Sequence, residues 1–393
     1  MTIRYLHVIH SLDPHNGGPR EGVKQLSKVA TKLHHHVEIA VLQRPEESWV
    51  REYPCPVHYV GPAFLNYGYA PRLSGWLKRN ASRFSAVIVN GIWQYHGLCT
   101  WRTLRRTGVP YYVFTHGMLD PWFKREYPLR HLKKLMYWPW AEYRVLRDAR
   151  AVLFTSEEER LLARESFGRY HVTERVVNYG VPDPAGDPNQ QRDAFLEQFP
   201  QLRGKRYLLF LGRIHPKKGC DILIEAFAAV RHRDPLLRLV VAGPDQVGMR
   251  QRLDALARRL GVAENITWTG MIRGEVKVGA LRGAEAFVLP SHQENFGIAV
   301  AESLACATPV LISNKVNIWR EVVEDRAGFA APDNLEGTTE LLNSWLDLTP
   351  GERHRMAING YESFARRFNV EAAAESILSA IEHQSMSLLS PAT

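Results

Sequence analysis

Short apolar runs alternate with amphipathic segments in the first half of the chain. The runs lie at residues 3–10, 37–42, 86–90, 111–115 and 151–155. Their length and nearly continuous hydrophobicity are typical of strands buried on both faces of a sheet. Between the first two runs, a segment that ends at Leu33 repeats its apolar residues with a helical period. This strand–helix–strand order predicts a parallel sheet covered by helices.

The same alternation begins again after a segment that is rich in glycine and proline. That segment, residues 177–189, predicts a linker between two domains. Beyond it, predicted strands alternate with predicted helices, the strands at 207–211, 237–242, 266–269 and 286–290 and the helices at 221–231 and 249–260. We therefore predict an α/β protein with two doubly wound domains, residues 1–180 and 181–369.

Composition limits the classes to which the chain can belong. It has 393 residues, of which 45% are hydrophobic and 23% are charged, and this suits two globular domains. No run approaches the ~20 apolar residues that a membrane-spanning helix needs, and the apolar run at residues 5–9 is too short for a signal peptide. The four cysteines lack the spacing of a zinc site. We expect a cytoplasmic protein without disulfides.

Basic residues are concentrated in the first half. Residues 1–200 contain 27 Lys and Arg against 19 Asp and Glu, whereas residues 201–393 contain 23 against 22. The first domain is therefore the one that we expect to meet an anionic partner. Nucleic acid is a poor match for that partner, because no helix-turn-helix, zinc-finger or RRM pattern occurs in the chain.

One segment of the first half, residues 122–150, is both basic and aromatic. It carries eight Lys and Arg against three Asp and Glu, with Trp, Tyr and Phe residues between them. One interpretation is a face that binds an anionic membrane surface or a lipid-linked substrate. The other is an ordinary helix pair, broken at Pro139, with its aromatic residues in the core and its charges in water. Both interpretations remain open at this point.

The loop after the first predicted strand is a candidate anion site. Gly17 and Gly18 would let the backbone approach a ligand closely, and Pro19 suits the first position of a helix. A plain turn is the alternative, since neither of the glycine-rich nucleotide motifs occurs in the chain. The consecutive residues His34, His35 and His36 are a weak metal candidate, because their side chains cannot easily converge on one ion; we expect a solvated turn there.

A histidine follows directly on the predicted strand at 111–115. Ligands of open α/β sheets bind beyond the carboxyl ends of the strands. His116 stands at such an end. We therefore take it as a candidate hydrogen-bond partner for a substrate.

The loop that follows the predicted strand at 207–211 carries two cations. Arg213 and Lys218 stand at the carboxyl end of that strand. A guanidinium and an ammonium in this position can together bind a diphosphate. The alternative interpretation is a solvated basic loop.

Two carboxylates flank the start of a predicted helix at 297–307. Glu294 precedes the helix and Glu302 lies inside it; eight residues at ~1.5 Å each put roughly 12 Å between them along the axis. Small and apolar residues surround Glu302, which predicts a buried carboxylate that needs a polar partner. The backbone N–H groups of Asn295, Phe296 and Gly297 are predicted to belong to the first helical turn, where polar or anionic ligand groups are favoured. We expect this pair of carboxylates to hold both ends of an extended ligand.

In combination, these motifs resemble the retaining nucleotide-sugar glycosyltransferases of family four, which have the GT-B fold. The resemblance rests on Glu294 and Glu302 with their spacing, on Arg213 and Lys218, on the Gly17-Gly18 loop and on His116, and it covers essentially the whole chain. Residues 115–122 and 315–321 resemble members that build bacterial exopolysaccharides and lipid-linked glycans. Two positions depart from the family pattern: Tyr179 stands where asparagine is usual before Gly180, and Ala307 stands where glycine is usual.

The resemblance implies a fold and a role for each of these residues. The two domains would face a cleft, and the last helix, residues 370–385, would cross back onto the first domain. Arg213 and Lys218 would bind the donor diphosphate, and Glu302 would accept hydrogen bonds from the ribose. Glu294 and the amides of Asn295, Phe296 and Gly297 would hold the sugar. The remaining expected contacts are Gly17 and Gly18 with the phosphates, His116 with a sugar hydroxyl and the backbone near Met271 with the base.

The activity that the resemblance implies is transfer of a hexose or a hexuronic acid from a UDP-sugar, with retention, to a glycan or lipid-linked glycan. The UDP-sugar is a substrate, so no cofactor is expected. The chain contains no D-x-D motif, which agrees with a metal-independent reaction. If the 122–150 segment binds lipid, the protein is expected at the inner face of the membrane. The rival functions are a sugar phosphorylase or a nucleotide-sugar epimerase on the same fold and, less favoured, a basic nucleic-acid-binding protein.

Overall fold

The computed structural model describes residues 2–13 and 18–386, and the side chains as far as residue 382. These residues divide into two compact units. The first contains the chain up to Gly180 together with the helix that begins at Val370, and the second contains residues 181–369. No helix in the described part of the chain is long and apolar enough to cross a membrane.

The first unit is built on a parallel sheet of seven strands. The strands are β1 (Arg4–Ile9), β2 (His36–Val41), β3 (Val57–Tyr59), β4 (Ala86–Asn90), β5 (Tyr111–Phe114), β6 (Ala151–Phe154) and β7 (Glu174–Val176), in the order β3-β2-β1-β4-β5-β6-β7. The five central strands are the five that the hydrophobic pattern predicts. The two edge strands were missed because each has only three residues and is partly exposed.

Eight helices of this unit connect the strands. They are α1 (Gly18–Lys32), α2 (Glu47–Val50), α3 (Pro71–Asn80), α4 (Tyr95–Leu104), α5 (Trp122–Glu126), α6 (Pro128–Tyr137), α7 (Tyr143–Arg147) and α8 (Glu157–Ser166). The segment 122–150 is therefore not the helix pair that one interpretation predicted. It forms three helices, and Pro139 lies in a π-helical turn between α6 and α7.

The second unit is built on a parallel sheet of six strands. They are β8 (Tyr207–Leu211), β9 (Arg238–Ala242), β10 (Ile266–Gly270), β11 (Ala286–Leu289), β12 (Val310–Ser313) and β13 (Gly328–Ala331), in the order β10-β9-β8-β11-β12-β13. Its helices are α9 (Pro188–Gln198), α10 (Cys220–Val230), α11 (Arg250–Arg259), α12 (Gly274–Gly283), α13 (Ile298–Ala305), α14 (Trp319–Glu324), α15 (Leu335–Asp347) and α16 (Pro350–Ser363). The predicted α/β class with two doubly wound sheets is confirmed.

The linker predicted at residues 177–189 extends two residues too far, because the structure begins a helix at Pro188. The Asp187 carboxylate caps α9 by accepting from the N–H groups of Asn189 and Gln190, at 2.7 and 3.3 Å. Pro188 then takes the first helical position, where its missing N–H costs nothing. The last two residues of the predicted linker thus belong to a helix.

The final helix, α17 (Val370–Met386), belongs to the first unit. Lys32 at the end of α1 forms an ion pair of 2.7 Å with Glu371. The Ser376 hydroxyl accepts from the backbone N–H of Asn178, at 3.2 Å, and the Tyr112 hydroxyl lies 3.5 Å from the Ala380 carbonyl oxygen. These contacts join α17 to the end of α1, to the segment after β7 and to β5.

In each sheet the strand order reverses once, between β1 and β4 in the first unit and between β8 and β11 in the second. The helices that follow the two strands of such a pair lie on opposite faces of the sheet, so a crevice opens at the carboxyl ends of the strands. The loops after β8 and β11 contain Arg213, Lys218 and Glu294. The charged motifs of the second unit therefore meet at its crossover point.

Ala307, one of the two departures from the family pattern, lies in the left-handed backbone region with φ of 55°. It follows α13 in a C-terminal cap, in which the N–H of Ala307 donates to Leu304 (2.9 Å) and that of Thr308 donates to Ser303 (3.0 Å). Glycine is the residue that favours this position, because a Cβ is strained there.

Ala307→Gly is expected to stabilise the second unit by about 1 kcal/mol, because it relieves this strain and the exposed side chain contributes little packing. Chemical unfolding of the full chain measures the effect. Ala284→Gly is the matched control, since Ala284 also follows a helix but has φ of −75°; it should give no gain. Equal responses of the two variants would contradict the assignment of strain to Ala307.

Candidate functional site

The loop after β8 holds both cations of the second unit's site. Arg213 is exposed, and its Nη1 donates to Gln246 Oε1 over 3.2 Å. The chain then makes a short 3-10 turn at Pro216–Lys218. Gly219 follows with φ of 66°, and a Cβ at this residue would lie 2.3 Å from the Pro290 carbonyl oxygen. Only glycine permits both this backbone conformation and this close approach.

That turn is bound to the loop after β11. The Lys217 carbonyl oxygen accepts from the His292 N–H at 2.8 Å and from the Ser291 hydroxyl at 2.9 Å. Next to these bonds, the Lys218 ammonium forms an ion pair with Glu294. Their side chains are only 14% and 24% exposed. Two motifs that stand 76 residues apart in the sequence are thus in direct contact.

The electrostatic surroundings weaken the hold of Lys218 on its proton. Burial lowers the pKa of the Lys218 ammonium to about 8, and the positive charges of Lys217 and Arg213 act in the same direction. The Glu294 carboxylate in contact with it acts in the opposite direction. An anionic ligand that reached this ammonium would stabilise its charged form further.

The backbone of Glu294 is fixed by the loop after β12. Its N–H donates to the Lys315 carbonyl at 2.9 Å, and its own carbonyl accepts from the Asn317 N–H at 3.0 Å. Residues Glu294 and Val316 form a parallel bridge through these bonds. The segment 315–321, which only the family resemblance pointed to in the sequence, thus holds the loop that carries Glu294.

Helix α13 begins later than the sequence predicts. Gly297 is its N-cap, with φ of 74°, and the first helical residue is Ile298. The N–H groups of Asn295 and Phe296 therefore precede the helix, and their predicted place in its first turn is wrong. Phe296 is buried against Phe368, with ring centroids 5.9 Å apart. The Asn295 side chain faces the loop after β12, where Asn317 Nδ2 lies 3.5 Å from its Oδ1.

Glu302 is less buried than the sequence predicts, since 24% of its side chain is exposed. Lys277 on α12 supplies the polar partner that a carboxylate in this apolar setting requires, with its Nζ 2.6 Å from Glu302 Oε1. The helix around Glu302 is apolar on both flanks, as predicted, but the carboxylate itself is partly exposed. Lys277 was missed because nothing in the local pattern around residue 277 marks it as a partner.

Met271 follows β10 directly. Its side chain is 53% exposed, and its sulfur lies 3.0 Å from Arg273 Nη2. β10 is the edge strand of the six-stranded sheet. Met271 is therefore at the same carboxyl edge as the charged loops but two strands away from the crossover point.

In the first unit, His116 stands at the carboxyl end of β5 in a strained conformation. Its φ is 49°, which is uncommon for a residue with a side chain and is often retained at functional sites. The imidazole stacks on Phe114, with centroids 4.6 Å apart and an interplanar angle of 8°. Its Nε2 lies 3.3 Å from Asn90 Oδ1 at the end of β4.

Asn90 determines which nitrogen of His116 carries the proton. The Asn90 Nδ2 faces the carbonyl oxygens of Ile88 (3.2 Å) and Val8 (3.5 Å) and therefore donates to them. Its Oδ1 is then the atom that faces His116, so Nε2 of His116 is the donor. The same Nδ2 lies 3.1 Å from Nδ1 of the buried His7. Asn90 could not be identified from the sequence, because an asparagine at the end of a strand carries no local signal.

Both histidines in this group are neutral near pH 7. Burial lowers the pKa of His116 to about 3, and His7 adds to the effect. Burial alone lowers the pKa of His7 to about 3. His116 is therefore suited to hydrogen bonding as a neutral imidazole and not to acid catalysis as an imidazolium.

The predicted glycine loop is only partly described. Gly17 lies outside the described residues, and Gly18 is the first residue of α1. The Gly18 carbonyl accepts from the Tyr179 hydroxyl at 3.0 Å. Gly22, one turn later, leaves the space for this hydroxyl, which would lie 2.0 Å from a Cβ. Tyr179 is the second departure from the family pattern. Its hydroxyl thus joins the end of the segment that runs up to Gly180 to the start of α1.

The histidine triplet forms a turn, as expected. His34 has φ of 61°, His35 Nδ1 accepts from the Ile3 N–H at 3.1 Å, and His36 begins β2. In the described part of the chain, no three His, Cys, Asp or Glu side chains are placed so that they could hold a metal ion.

Two family models match the chain. "Glycosyl transferase 4-like domain" matches residues 17–180, and "Glycosyl transferases group 1" matches residues 191–363. The first match ends where the first unit's main segment ends, and the second lies within the second unit.

A curated relative shares part of the sequence. D-inositol 3-phosphate glycosyltransferase of Actinosynnema mirum is 36% identical over 180 residues, which cover 44% of this chain and 43% of the relative. The match thus spans less than half the length of that relative.

Solved structures match over nearly the whole length. Sucrose-phosphate synthase from Thermosynechococcus elongatus is 19% identical with a TM-score of 0.75, covering 99% of this chain and 100% of the other. Anabaena HepE in complex with UDP and glucose is 16% identical with a TM-score of 0.72, covering 98% and 100%. These likenesses show the fold, and the family models show the kind of protein. The chain belongs to the glycosyltransferases of the family-four type, which have the GT-B fold.

Proposed function

We propose that this protein transfers a hexose or a hexuronic acid from a UDP-sugar to a glycan or lipid-linked glycan acceptor during polysaccharide synthesis. The single observation that carries this proposal is the contact between Lys218 and Glu294 at the crossover point of the second unit, with Arg213 in the same loop. Two cations and a carboxylate can bind an anion and a set of hydroxyls. A nucleoside diphosphate sugar carries both, in its doubly ionised diphosphate and in the hydroxyls of its sugar ring.

The ion pair between Lys218 and Glu294 joins a cation and a carboxylate that can each bind a different part of a donor. A diphosphate that entered the site would compete for the ammonium, because it is a stronger acceptor than one carboxylate. Glu294 would then be released to accept hydrogen bonds from hydroxyls of the sugar next to the phosphate. One contact thus prepares two binding functions, and each of the two charges has the other as its partner.

Glu302 and Lys277 form the corresponding pair for the nucleoside. A partly exposed carboxylate can accept from the two ribose hydroxyls while it keeps its bond to Lys277. The backbone near Met271, directly after β10, is assigned to the base. The amides of Asn295, Phe296 and Gly297 are assigned to the sugar, and Gly17 and Gly18 of the first unit to the phosphates.

The reaction that we propose retains the configuration of the sugar and uses no metal ion. The bond between the anomeric carbon and the diphosphate oxygen breaks, and a bond to the acceptor oxygen forms on the same face. The acceptor proton passes to the departing diphosphate. Arg213 and Lys218 offset the charge that develops on this leaving group, which is the largest electrostatic demand of the step. Neutral His116, held through Nε2 by Asn90, hydrogen-bonds a sugar hydroxyl near the reacting carbon.

The choice of uridine is supported by the Anabaena HepE structure with UDP and glucose. Thermal or chemical unfolding with added donors tests it. A UDP-hexose or UDP-hexuronic acid at 100 times its dissociation constant is expected to stabilise the chain by ~2.7 kcal/mol, because it binds only the folded state. GDP- and ADP-sugars at the same concentration are the controls. Stabilisation by these alone would make the donor assignment wrong.

The closest alternative is a phosphorylase or an epimerase with the same fold. It would use the same cations for phosphate and the same carboxylates for sugar. Release of a sugar phosphate on addition of inorganic phosphate would favour the first, and isomerisation of the donor without an acceptor would favour the second. Transfer to an added glycan, with equimolar release of UDP, would favour the proposed function.

A further inference from the structure

The outward side of α6 carries an exposed apolar ridge. Leu129, Leu132 and Met136 are 78%, 56% and 65% exposed, and Trp140 in the following turn is 52% exposed. The spacing of three and four residues places the first three on one side of the helix. Large apolar side chains that are exposed singly are normal, but a contiguous ridge of them indicates an interaction surface.

The inward side of the same helix is firmly packed. His131 stacks on Phe167 with centroids 4.8 Å apart, and Trp138, directly after the helix, stacks on the same ring at 4.4 Å. The Trp138 Nε1 donates to the Gly168 carbonyl at 3.0 Å. The ridge is therefore held in a fixed position facing outward.

Cations flank the ridge. Lys124, Arg125, Arg130 and Lys133 are all exposed, whereas Glu126 is the only acidic residue between residues 122 and 137. In the described part of the chain, no carboxylate forms an ion pair with any of these four cations. Arg130 extends over the Tyr127 ring at 5.1 Å. The surface thus combines apolar side chains with positive charge that the protein itself does not neutralise.

A loop before α3 contributes a second apolar element. Phe64 and Tyr69 pair as an antiparallel bridge, with N–H to carbonyl distances of 2.9 Å in both directions. Leu65 at the tip has φ of 60° and is 87% exposed. The Tyr67 hydroxyl is 2.5 Å from that of Tyr137 on α6. The loop tip is thereby fastened to the same helix that carries the ridge.

We propose that the α6 ridge and the Phe64–Leu65 tip form one docking face for a membrane surface that contains anionic lipids. Apolar side chains that project from a rigid base can enter the boundary between headgroups and acyl chains, while the flanking lysines and arginines contact the lipid phosphates. Trp140 and Tyr127 at the edges are the residue types that favour this boundary. The face is independent of the donor site, because none of its residues is assigned to donor binding.

Sedimentation of the full chain with vesicles tests the proposal. We expect binding to vesicles that contain phosphatidylglycerol at low salt and weaker binding to pure phosphatidylcholine, because the charge interaction is absent there. We expect vesicle binding to weaken at least tenfold in the triple variant Leu129→Ser/Leu132→Ser/Met136→Ser. The single variant Leu65→Asn should weaken it severalfold. Arg130→Gln or Lys133→Gln should each weaken it roughly fivefold.

The matched control is Leu236→Ser/Val247→Ser/Ile358→Ser, which removes three exposed apolar side chains from the second unit. It should bind vesicles as the parent does. All variants should keep the parent's stabilisation by a UDP-sugar, so loss of vesicle binding is distinguished from loss of the donor site. Absence of binding to anionic vesicles, or binding unchanged in the α6 triple variant, would overturn the proposal. Self-association that the triple variant abolishes, without vesicle binding, would also overturn it in favour of a second copy of the chain.

Discussion

Replacing Lys218 by alanine is expected to lower turnover by on the order of 100-fold, with a smaller loss of donor affinity. The ammonium contacts a diphosphate whose charge increases as the sugar leaves, so its contribution is larger in the transition state than in the bound ground state. Loss of one such preorganised contact commonly costs ~3 kcal/mol of activation free energy. Single-turnover rates and donor titration on the same preparation separate the two effects.

Lys218→Arg and the pH profile provide the control for this prediction. Burial lowers the pKa of Lys218 to about 8 and the contact with Glu294 acts against this shift, so its positive charge is lost as the pH rises between about 8 and the ordinary lysine value of ~10.4. In the parent, kcat/KM is therefore expected to fall above about pH 8, since this ratio reports the free enzyme. Arginine keeps its charge, so the arginine variant should lack this alkaline decline. Near-normal turnover of folded Lys218→Ala would contradict the assignment of Lys218 to the diphosphate.

Glu302→Ala is expected to weaken donor binding by roughly 10- to 100-fold while turnover at saturating donor stays nearly unchanged. A carboxylate bonded to ribose hydroxyls contributes about 1.5–3 kcal/mol, as charged hydrogen bonds do. The ribose does not change between ground and transition states, so this energy appears in affinity and not in the chemical step. Titration with UDP-sugar and with UDP alone should show the same loss, because both carry the ribose.

Lys277→Ala is the companion variant, since Lys277 is the partner of Glu302 at 2.6 Å. Its loss leaves the carboxylate in place, and donor affinity should fall less than in Glu302→Ala. Unfolding must be measured first for both variants, because each removes one half of an ion pair at a partly buried position. Parent-like donor affinity in folded Glu302→Ala would show that the ribose is bound elsewhere.

Much of the fold was predictable because single strands and helices can be recognised from the hydrophobic pattern of their own residues. Buried parallel strands such as β4, β5 and β11 are continuous apolar runs, and their positions follow from hydrophobicity alone. Four strands escaped prediction: β3 and β7, where three partly exposed residues carry too little pattern, and β12 and β13, which have only four residues each. The charged motifs were predictable for a related reason. Loops at the carboxyl ends of strands collect ligand-binding residues, and this rule points to Arg213, Lys218 and His116 without coordinates.

The sequence by itself therefore determined the class of fold, the alternation of its elements and the loops that carry charge. Only the tertiary structure decided which charges meet. Lys218 with Glu294, Lys277 with Glu302 and Asn90 with His116 are pairs separated by 76, 25 and 26 residues. Local sequence patterns do not indicate contacts between residues so far apart in the chain, because the strand order that brings the loops together is set by packing of the whole sheet. The tertiary structure likewise decided that Gly297 caps α13 and that α6 leaves an apolar ridge uncovered, since both depend on neighbours that are remote in the chain.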